Sequence, residues 1–404
     1  MRALRDRRMR VFLAGTEFFR SYGGIQYINR LLVRAFCEMG GRTPLDLEVF
    51  SYIDGPEHFP ARMAGGTPVR WHGAERHQGK LAWQLSKRLA AIQPDLVLFT
   101  HVSLVPMLEA VRRLAPGARV ALLAHGTEVW QPSEGRVARF FQRVDSFVSP
   151  SSFTGQKLAE VHGIAAGRMT VIPHGLDPDW MEISKPAAAA GGATPERTGR
   201  LLLSVTRLSR ADREGKGIDL VLQALPAVFT KCPGTRYRVV GGGGDLPRLA
   251  ELVRQLGLEE RTELPGARRD DALRQAYREA DVFVLPTQVE GFGVVFLEAM
   301  YNRLPVVAVR ASATPEVVQD GVTGLLVSPG SAEELAGALT ALLSDPVRRR
   351  AMGEAGRQRV ERMYRFEHFA ARWERWVAGQ VPEALYAARQ TFAFTSAQAV
   401  PGAA

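Results

Sequence analysis

Short apolar runs alternate along this chain with stretches whose apolar residues recur every three to four positions. Runs at 10–15, 47–52, 69–71, 95–100, 120–124, 146–149 and 169–173 read as buried strands. Between them, 25–38 and 80–92 read as helices, the second with Leu81, Leu85 and Leu89 at four-residue spacing. A small, aperiodic Pro/Gly-rich stretch at 185–199 interrupts the pattern. A second set follows, with strands at 201–205, 237–240, 261–264, 282–285, 306–309 and 325–327. Its helices are expected near 218–230, 246–256, 270–279, 294–302, 331–343 and 346–362. From Phe366 the pattern is helical and aromatic, with Phe369, Trp373 and Trp376 in step. Alternation this regular implies two α/β domains, each a doubly wound parallel sheet covered on both faces.

Length agrees, since 404 residues exceed what one core organises. The expected division is a first domain at 9–180, a linker at 181–199 and a second domain at 200–362. A crossing helix at 363–392 and a disordered tail at 393–404 complete it. Two cysteines, Cys37 and Cys232, fall in different domains, which argues against a disulfide framework and for a reducing compartment. The apolar core at 11–15 is too short for a secretory signal, and no run approaches the ~20 apolar residues of a membrane span. A soluble or peripherally bound protein is expected. The formal charge is +10, and Arg2, Arg5, Arg7, Arg8 and Arg10 crowd the start against Asp6 alone. That balance suits phosphorylated substrates, an anionic membrane surface or nucleic acid, and equally an arginine-rich proteome.

The chemistry gathers where strands end. Glu290-Gly291-Phe292-Gly293-Val294 joins the apolar run 281–286 to a helix that carries Glu298. A glycine turn before a helix mouth offers backbone N–H groups and a positive dipole end to a phosphate. The two glutamates add acceptors for hydroxyls, so the stretch fits a nucleotide sugar. Arg207 follows the strand at 201–205, and Lys216 precedes the next helix. Cations fixed there would stabilise a departing nucleoside diphosphate as its charge grows. A solvated basic loop accounts for the same residues. Gly23-Gly24 opens the first helix, and Phe18, Phe19 and Tyr22 stand in the loop before it. His125 ends the strand 120–124, either as a site residue or as a satisfied structural histidine. Glycines 241–244 lack the spacing of a dinucleotide fingerprint and read as a tight turn against the nucleotide. Asp177 and Asp179 mimic a metal pair by chance, and no His/Cys cluster or Gly-x-Ser-x-Gly elbow occurs.

Taken together, Gly23-Gly24, His125-Gly126, the run 171–177, Arg207, Lys216-Gly217 and Glu290-Gly291-Phe292-Gly293 through Glu298 make the chain resemble a known family. It is similar to the retaining glycosyltransferases of family four, with the GT-B fold, from about residue 10 to 376. The resemblance implies two Rossmann-like domains facing a central cleft, with the last helix crossing back to the first. It implies transfer of a hexosyl unit from a UDP- or GDP-sugar to a glycan or lipid-linked acceptor in cell-surface or exopolysaccharide synthesis. By it, Arg207 and Lys216 clasp the diphosphate and Glu298 meets the ribose hydroxyls. Glu290, Gly291, Phe292, Gly293 and Val294 hold donor-sugar hydroxyls through one carboxylate and the loop amides. Gly24 closes over the diphosphate, and His125 meets the donor sugar near the reacting carbon.

His125, Glu290, Arg207 and Lys216 are thus the expected catalytic set, with no metal and no cofactor beyond the donor. The implied chemistry is front-face attack through a short-lived oxocarbenium-like ion pair. Two positions depart from the family pattern: His174 stands where asparagine is frequent, and Ser312-Ala313 where a glycine pair is. A cytoplasmic enzyme is expected, with docking at the inner face of the plasma membrane through the basic start, 80–88 and 136–143. Other readings stay open: a GT-B epimerase or phosphorylase, a non-catalytic nucleotide-sugar binder, and a nucleic-acid binder, for which no reading motif is present.

Overall fold

The structure is a computed structural model that describes residues 8–60, 68–104, 107–132, 134–183, 201–210 and 213–380. Arg2, Arg5 and Arg7, most of the expected linker and everything beyond 380 lie outside the described residues. The chain divides into two compact units. Of the described residues, the first holds 8–150, 154–173 and 366–380, and the second holds 151–153 and 174–365.

In the first unit the elements run β1 (Met9–Gly15), α1 (Gly24–Arg42), β2 (Leu45–Ser51), β3 (Val69–Gly73), α2 (Gln78–Ile92) and β4 (Leu96–Phe99). Then follow α3 (Met107–Leu114), β5 (Arg119–Leu123), α4 (Gly135–Arg143), β6 (Ser146–Ser149), α5 (Ser152–His162) and β7 (Met169–Val171). The seven strands form one sheet in the order β3-β2-β1-β4-β5-β6-β7, and every neighbouring pair is parallel. Strands buried on both faces explain the unbroken apolar runs; β4 has no exposed residue. Helix α1 extends four residues past the expected end, through Gly40 and Gly41, because tertiary packing overrides the low helix propensity of glycine.

The chain enters the second unit at His174, ahead of the boundary expected at 180. Its elements are α6 (Pro178–Ile183), β8 (Leu201–Val205), α7 (Arg213–Lys216), α8 (Ile218–Lys231), β9 (Arg236–Val240), α9 (Leu246–Gln255) and β10 (Thr262–Gly266). They continue with α10 (Asp270–Glu279), β11 (Val282–Val284), α11 (Val294–Tyr301), β12 (Val306–Val309) and α12 (Thr314–Val317). The last are β13 (Gly324–Val327), α13 (Ala332–Ser344) and α14 (Pro346–Met363). The strand order is β10-β9-β8-β11-β12-β13, again parallel throughout. Helices α3, α4, α6, α7 and α12 were not legible as helices; each is nine residues or shorter. So few turns give a weak periodic signal.

Each sheet has one place where the connections reverse direction, and ligands of open α/β sheets bind outside the strand ends there. In the first sheet it lies between β1 and β4, and in the second between β8 and β11. The loop after β8 carries Arg207, and the loop after β11 carries Glu290 to Gly293.

The final helix, α15 (Phe366–Gln380), belongs to the first unit. Phe366, Phe369, Trp373 and Trp376 are buried, with Trp373 6.2 Å from the ring of Phe36 on α1. Arg42 at the end of α1 pairs with Glu374 at 2.8 Å. The aromatic stripe is therefore core.

Candidate active site

The loop between β11 and α11 is built by its neighbours. Gly217, ahead of α8, has φ +71°, and a Cβ there would lie 2.4 Å from the carbonyl oxygen of Pro286. Only glycine allows that approach, and it sets the Lys216 segment against the exit of β11. The amide of Gln288 donates to the carbonyl of Gly215 at 2.9 Å and laces the two together. Gly293 has φ +88°, and a Cβ there would meet the ring of Phe296 at 2.5 Å. It caps α11 without any side-chain cap, so the helix mouth keeps its first N–H groups for a ligand.

Opposite this loop, Ser312 settles one of the two departures. It holds φ +47°, the left-handed region that favours glycine, and uses its side chain there. Its hydroxyl accepts the amide N–H of Glu290 at 3.1 Å, and Ala313 N–H donates to the Glu290 carbonyl at 3.2 Å. Serine thus keeps the glycine-like turn and adds a grip on Glu290. In the other departure, buried His174 lies edge-on to Phe292, with ring centroids 5.0 Å apart. Phe292 is itself core, packed also on Tyr364 at 5.8 Å, so this residue presents only its backbone to a ligand. The hydroxyl of Ser151 donates to the Gly291 carbonyl at 2.8 Å. The amides of Ser152 and Phe153, at the start of α5, donate to the carboxylate of Glu316, each at 2.8 Å.

Lys216 and Glu290 meet directly, Nζ to Oε2 at 3.0 Å, and their side chains are 22% and 17% exposed. Arg207, Leu208, Lys216, Asp219, Asp245 and Arg248 line one pocket. Arg248 is saturated there: it bonds both oxygens of Asp219 at 2.8–2.9 Å and both of Asp245 at 2.8–3.0 Å. A guanidinium held by two carboxylates is a strut. Arg207 is exposed, and the Lys216 ammonium, partner of the Glu290 carboxylate, is a donor that a bound diphosphate could share. Glycines 241–244 pack on the Arg207 loop: Leu208 N–H donates to the Gly242 carbonyl and Asp245 N–H to the Leu208 carbonyl, both at 3.0 Å. The run expected to turn against a nucleotide therefore braces the backbone beside Arg207.

Glu298, in α11, is buried and accepts the Tyr277 hydroxyl at 2.6 Å. Burial pushes its carboxyl up to about 7, with the Tyr277 hydrogen bond opposing. Tyr277 lies on α10 and was not singled out in the sequence. Its pairing with Glu298 across helices had no signal in the spacing.

Two expected residues stand in the first unit. His125 follows β5, and its Nε2 lies 2.8 Å from the carbonyl oxygen of Thr100. A carbonyl only accepts, so Nε2 carries the proton. Burial lowers the pKa of His125, and nearby His101 lowers it further, while Glu128 and the Thr100 bond oppose; the imidazole is a neutral donor at pH 7. Gly24 is the first residue of α1, and a Cβ built on it meets nothing within 4 Å. Its φ needs no glycine either, so the residue leaves room for something else. The loop before it is pinned by buried Asp54, which accepts the amides of Phe18, Phe19 and Arg20 at 2.7–3.1 Å. Phe18 and Phe19 pack on Trp71, at 5.7 and 5.5 Å, whereas Tyr22 is exposed. At 177–179 the Asp179 amide donates to the Asp177 carboxylate at 2.8 Å, a local turn that starts α6.

Residues 194–359 match the family described as glycosyl transferases group 1, and 22–180 match glycosyltransferase family 4. The chain is 31% identical over 385 residues to the GDP-mannose-dependent alpha-(1-6)-phosphatidylinositol monomannoside mannosyltransferase of Mycobacterium tuberculosis. That alignment covers 92% of this chain and 98% of the relative. The chain belongs to glycosyltransferase family four. This glycosyltransferase is also 27% identical, over 89% of its length and 71% of the relative, to the sulfoquinovosyl transferase SQD2 of Arabidopsis thaliana. Its fold is GT-B. Alr3699/HepE of Anabaena, solved with UDP and glucose, superposes with a TM-score of 0.71 at 20% identity, over 92% of this chain and 100% of that one. Sucrose-phosphate synthase from Thermosynechococcus elongatus gives 0.70 at 22% identity, over 92% and 99%.

Proposed function

We propose that this glycosyltransferase moves a hexosyl unit from a GDP- or UDP-sugar to a lipid-linked or glycan acceptor, with retained anomeric configuration and without a metal ion. GDP-mannose is the first donor to test, because the name of the mycobacterial relative specifies it. The carrying observation is the Lys216–Glu290 pair at the mouth of α11, with Lys216 lining one pocket together with Arg207.

On this reading the bond from the anomeric carbon to the diphosphate breaks first. Arg207, Lys216 and the α11 amides receive the growing negative charge, which is the part a divalent ion plays in other enzymes. The acceptor oxygen attacks the same face, and its proton passes to the departing phosphate. Glu290 takes sugar hydroxyls and Glu298 the ribose diol. Gly24 and His125, in the first unit, keep the donor-binding roles that the family resemblance implies. No cofactor beyond the donor enters.

The test has three arms. Melting the protein with UDP, GDP and ADP identifies the base, since a bound ligand raises Tm by mass action. Incubating labelled GDP-mannose with a membrane-lipid extract should give labelled lipid whose new linkage is α. A β linkage overturns retention, and isomerised sugar formed without acceptor supports the epimerase reading instead. Undiminished transfer in excess chelator is expected, and loss of transfer overturns the metal-free mechanism.

Contact with an anionic membrane is the second part of the proposal, at the inner face of the plasma membrane in the cytoplasm. No helix among the described residues is long and apolar enough to cross a bilayer. Its support is narrower than the sequence patterns suggested. Phe140 and Phe141 of α4 are buried, and Arg8 and Arg10 bond Asp46 and the Ile92 carbonyl at 2.6 Å. On α2, Leu81, Leu85 and Leu89 are core, whereas Trp83 is 63% exposed with the Lys87 ammonium 5.1 Å from its ring. An exposed indole beside a lysine suits the headgroup region.

A further inference from the structure

Glu298 owes its orientation to a single phenol. We infer that Tyr277 is a positioning residue for donor recognition: its hydroxyl holds one oxygen of the Glu298 carboxylate so that the other is presented to the ribose diol of the nucleotide. The inference rests on the reading of Glu298 as the ribose acceptor and adds the group that aims it.

The geometry has three parts. Tyr277 Oη lies 2.6 Å from Glu298 Oε2, on the neighbouring helices α10 and α11, and both side chains are buried. The phenol is held well above its ordinary pKa by burial and then by Glu298, so it stays protonated and donates to the carboxylate. The Tyr277 ring, in turn, cannot swing. Trp180 of α6 meets it edge-on at 5.6 Å and 90°, and Phe283 of β11 stacks at 5.9 Å and 18°. Behind Trp180 stands the Arg274 guanidinium, 5.6 Å from the indole. Helix α6 is fixed to α11 by the Tyr301 hydroxyl, which donates to the Met181 carbonyl at 3.0 Å.

A carboxylate has a broad, roughly two-fold terminal torsion and would otherwise sample many angles. One short bond from a rigid donor selects a single plane. The engaged oxygen is Oε2, which leaves Oε1 to accept from a vicinal diol. An aimed acceptor discriminates strongly against a ligand lacking the hydroxyl, since the buried group is then left without its partner.

The experiment measures Kd by calorimetry for UDP and GDP, each against its 2′-deoxy and 3′-deoxy forms, with wild type and Tyr277→Phe. Phenylalanine keeps the ring packing and removes only the hydroxyl. Wild type should prefer its ribonucleotide by about tenfold or more over at least one deoxy form. Tyr277→Phe should weaken the ribonucleotide about tenfold, leave the deoxy forms within about threefold, and so erase the preference. If the variant keeps the wild-type preference, or weakens ribo and deoxy ligands equally, Tyr277 is a structural brace and the inference fails while the Glu298 reading stands. If wild type shows no ribose preference, the Glu298 reading fails and takes the inference with it. Trp180→Phe is the second variant, should the first fold poorly. It loosens the wall against the ring and should cut the preference about threefold, and an unchanged preference counts against the clamp.

Discussion

Replacing Glu298 with glutamine should make the second unit more stable at pH 8 and leave it nearly unchanged at pH 5. The carboxyl is buried beside Tyr277, and burial raises it from the ordinary 4.5 to about 7. The unfolded chain releases this proton near 4.5, whereas the folded chain keeps it to about 7. Between those values the folded state binds more protons, so stability falls as pH rises, and the loss is complete above the folded pKa. A rise of that size corresponds to about 3 kcal/mol, at 1.36 kcal/mol per pH unit. Glutamine stays neutral and can still accept the Tyr277 hydroxyl through its amide oxygen. The variant should therefore gain up to ~3 kcal/mol at pH 8, roughly 6–12 °C in Tm for a unit of this size. At pH 5 the two proteins should agree within about 1 kcal/mol. Melts of both at pH 5, 6, 7 and 8, in one buffer series without nucleotide, give the comparison. A difference that does not grow with pH, or a variant less stable at pH 8, would refute the reasoning, since some other charge would then be stabilising the carboxylate. The same variant should bind nucleotide poorly, because function holds the costly charged form in place.

Three further outcomes follow from the geometry. Lys216→Ala removes the ammonium 3.0 Å from Glu290, and transfer should fall by ~10²-fold or more as for a lost transition-state contact. A part-exposed ion pair contributes at most about 1 kcal/mol to folding, so a Tm within ~4 °C of wild type is expected; a collapsed fold would mark the pair as structural. At Ser312, alanine and glycine both strand the Glu290 amide; alanine also keeps the strained φ of +47° and should cost ~1–3 kcal/mol, whereas glycine relieves the strain and should cost less than ~1. Midpoints of both variants equal to wild type would dismiss the hydroxyl's role, and equal midpoints for alanine and glycine would dismiss the strain. Trp83→Ala should lower sedimentation with phosphatidylglycerol vesicles at low salt by about threefold and leave Tm unchanged. Equal sedimentation of wild type with neutral and anionic vesicles would end the membrane proposal.

The elements were legible where a buried strand makes a continuous apolar run, as at 282–284, or where a long helix repeats its apolar face, as in α2. Glu290, Arg207 and Lys216 stood out because glycines and charges interrupt the pattern there, and Glu298 because it is a lone charge within the apolar α11. Their partners were not. Nothing in the spacing couples Lys216 with Glu290 over 74 positions, or sets Arg248 aside as a strut between Asp219 and Asp245. Side chains far apart in sequence meet only after the sheet fixes which strand ends are neighbours.

By itself the sequence determined the architecture, because burial on both faces writes itself into every parallel strand and each glycine turn marks an exit at the ligand edge. Tertiary structure decided which polar groups spend their charge on one another. Arg248, Asp54 and Phe292 became scaffold, Ser312 became the grip on Glu290, and Tyr277 became the aim of Glu298. The physical reason is range: apolar burial is a property of each residue and its near neighbours, whereas a hydrogen bond exists only between two atoms that the fold brings to within about 3 Å.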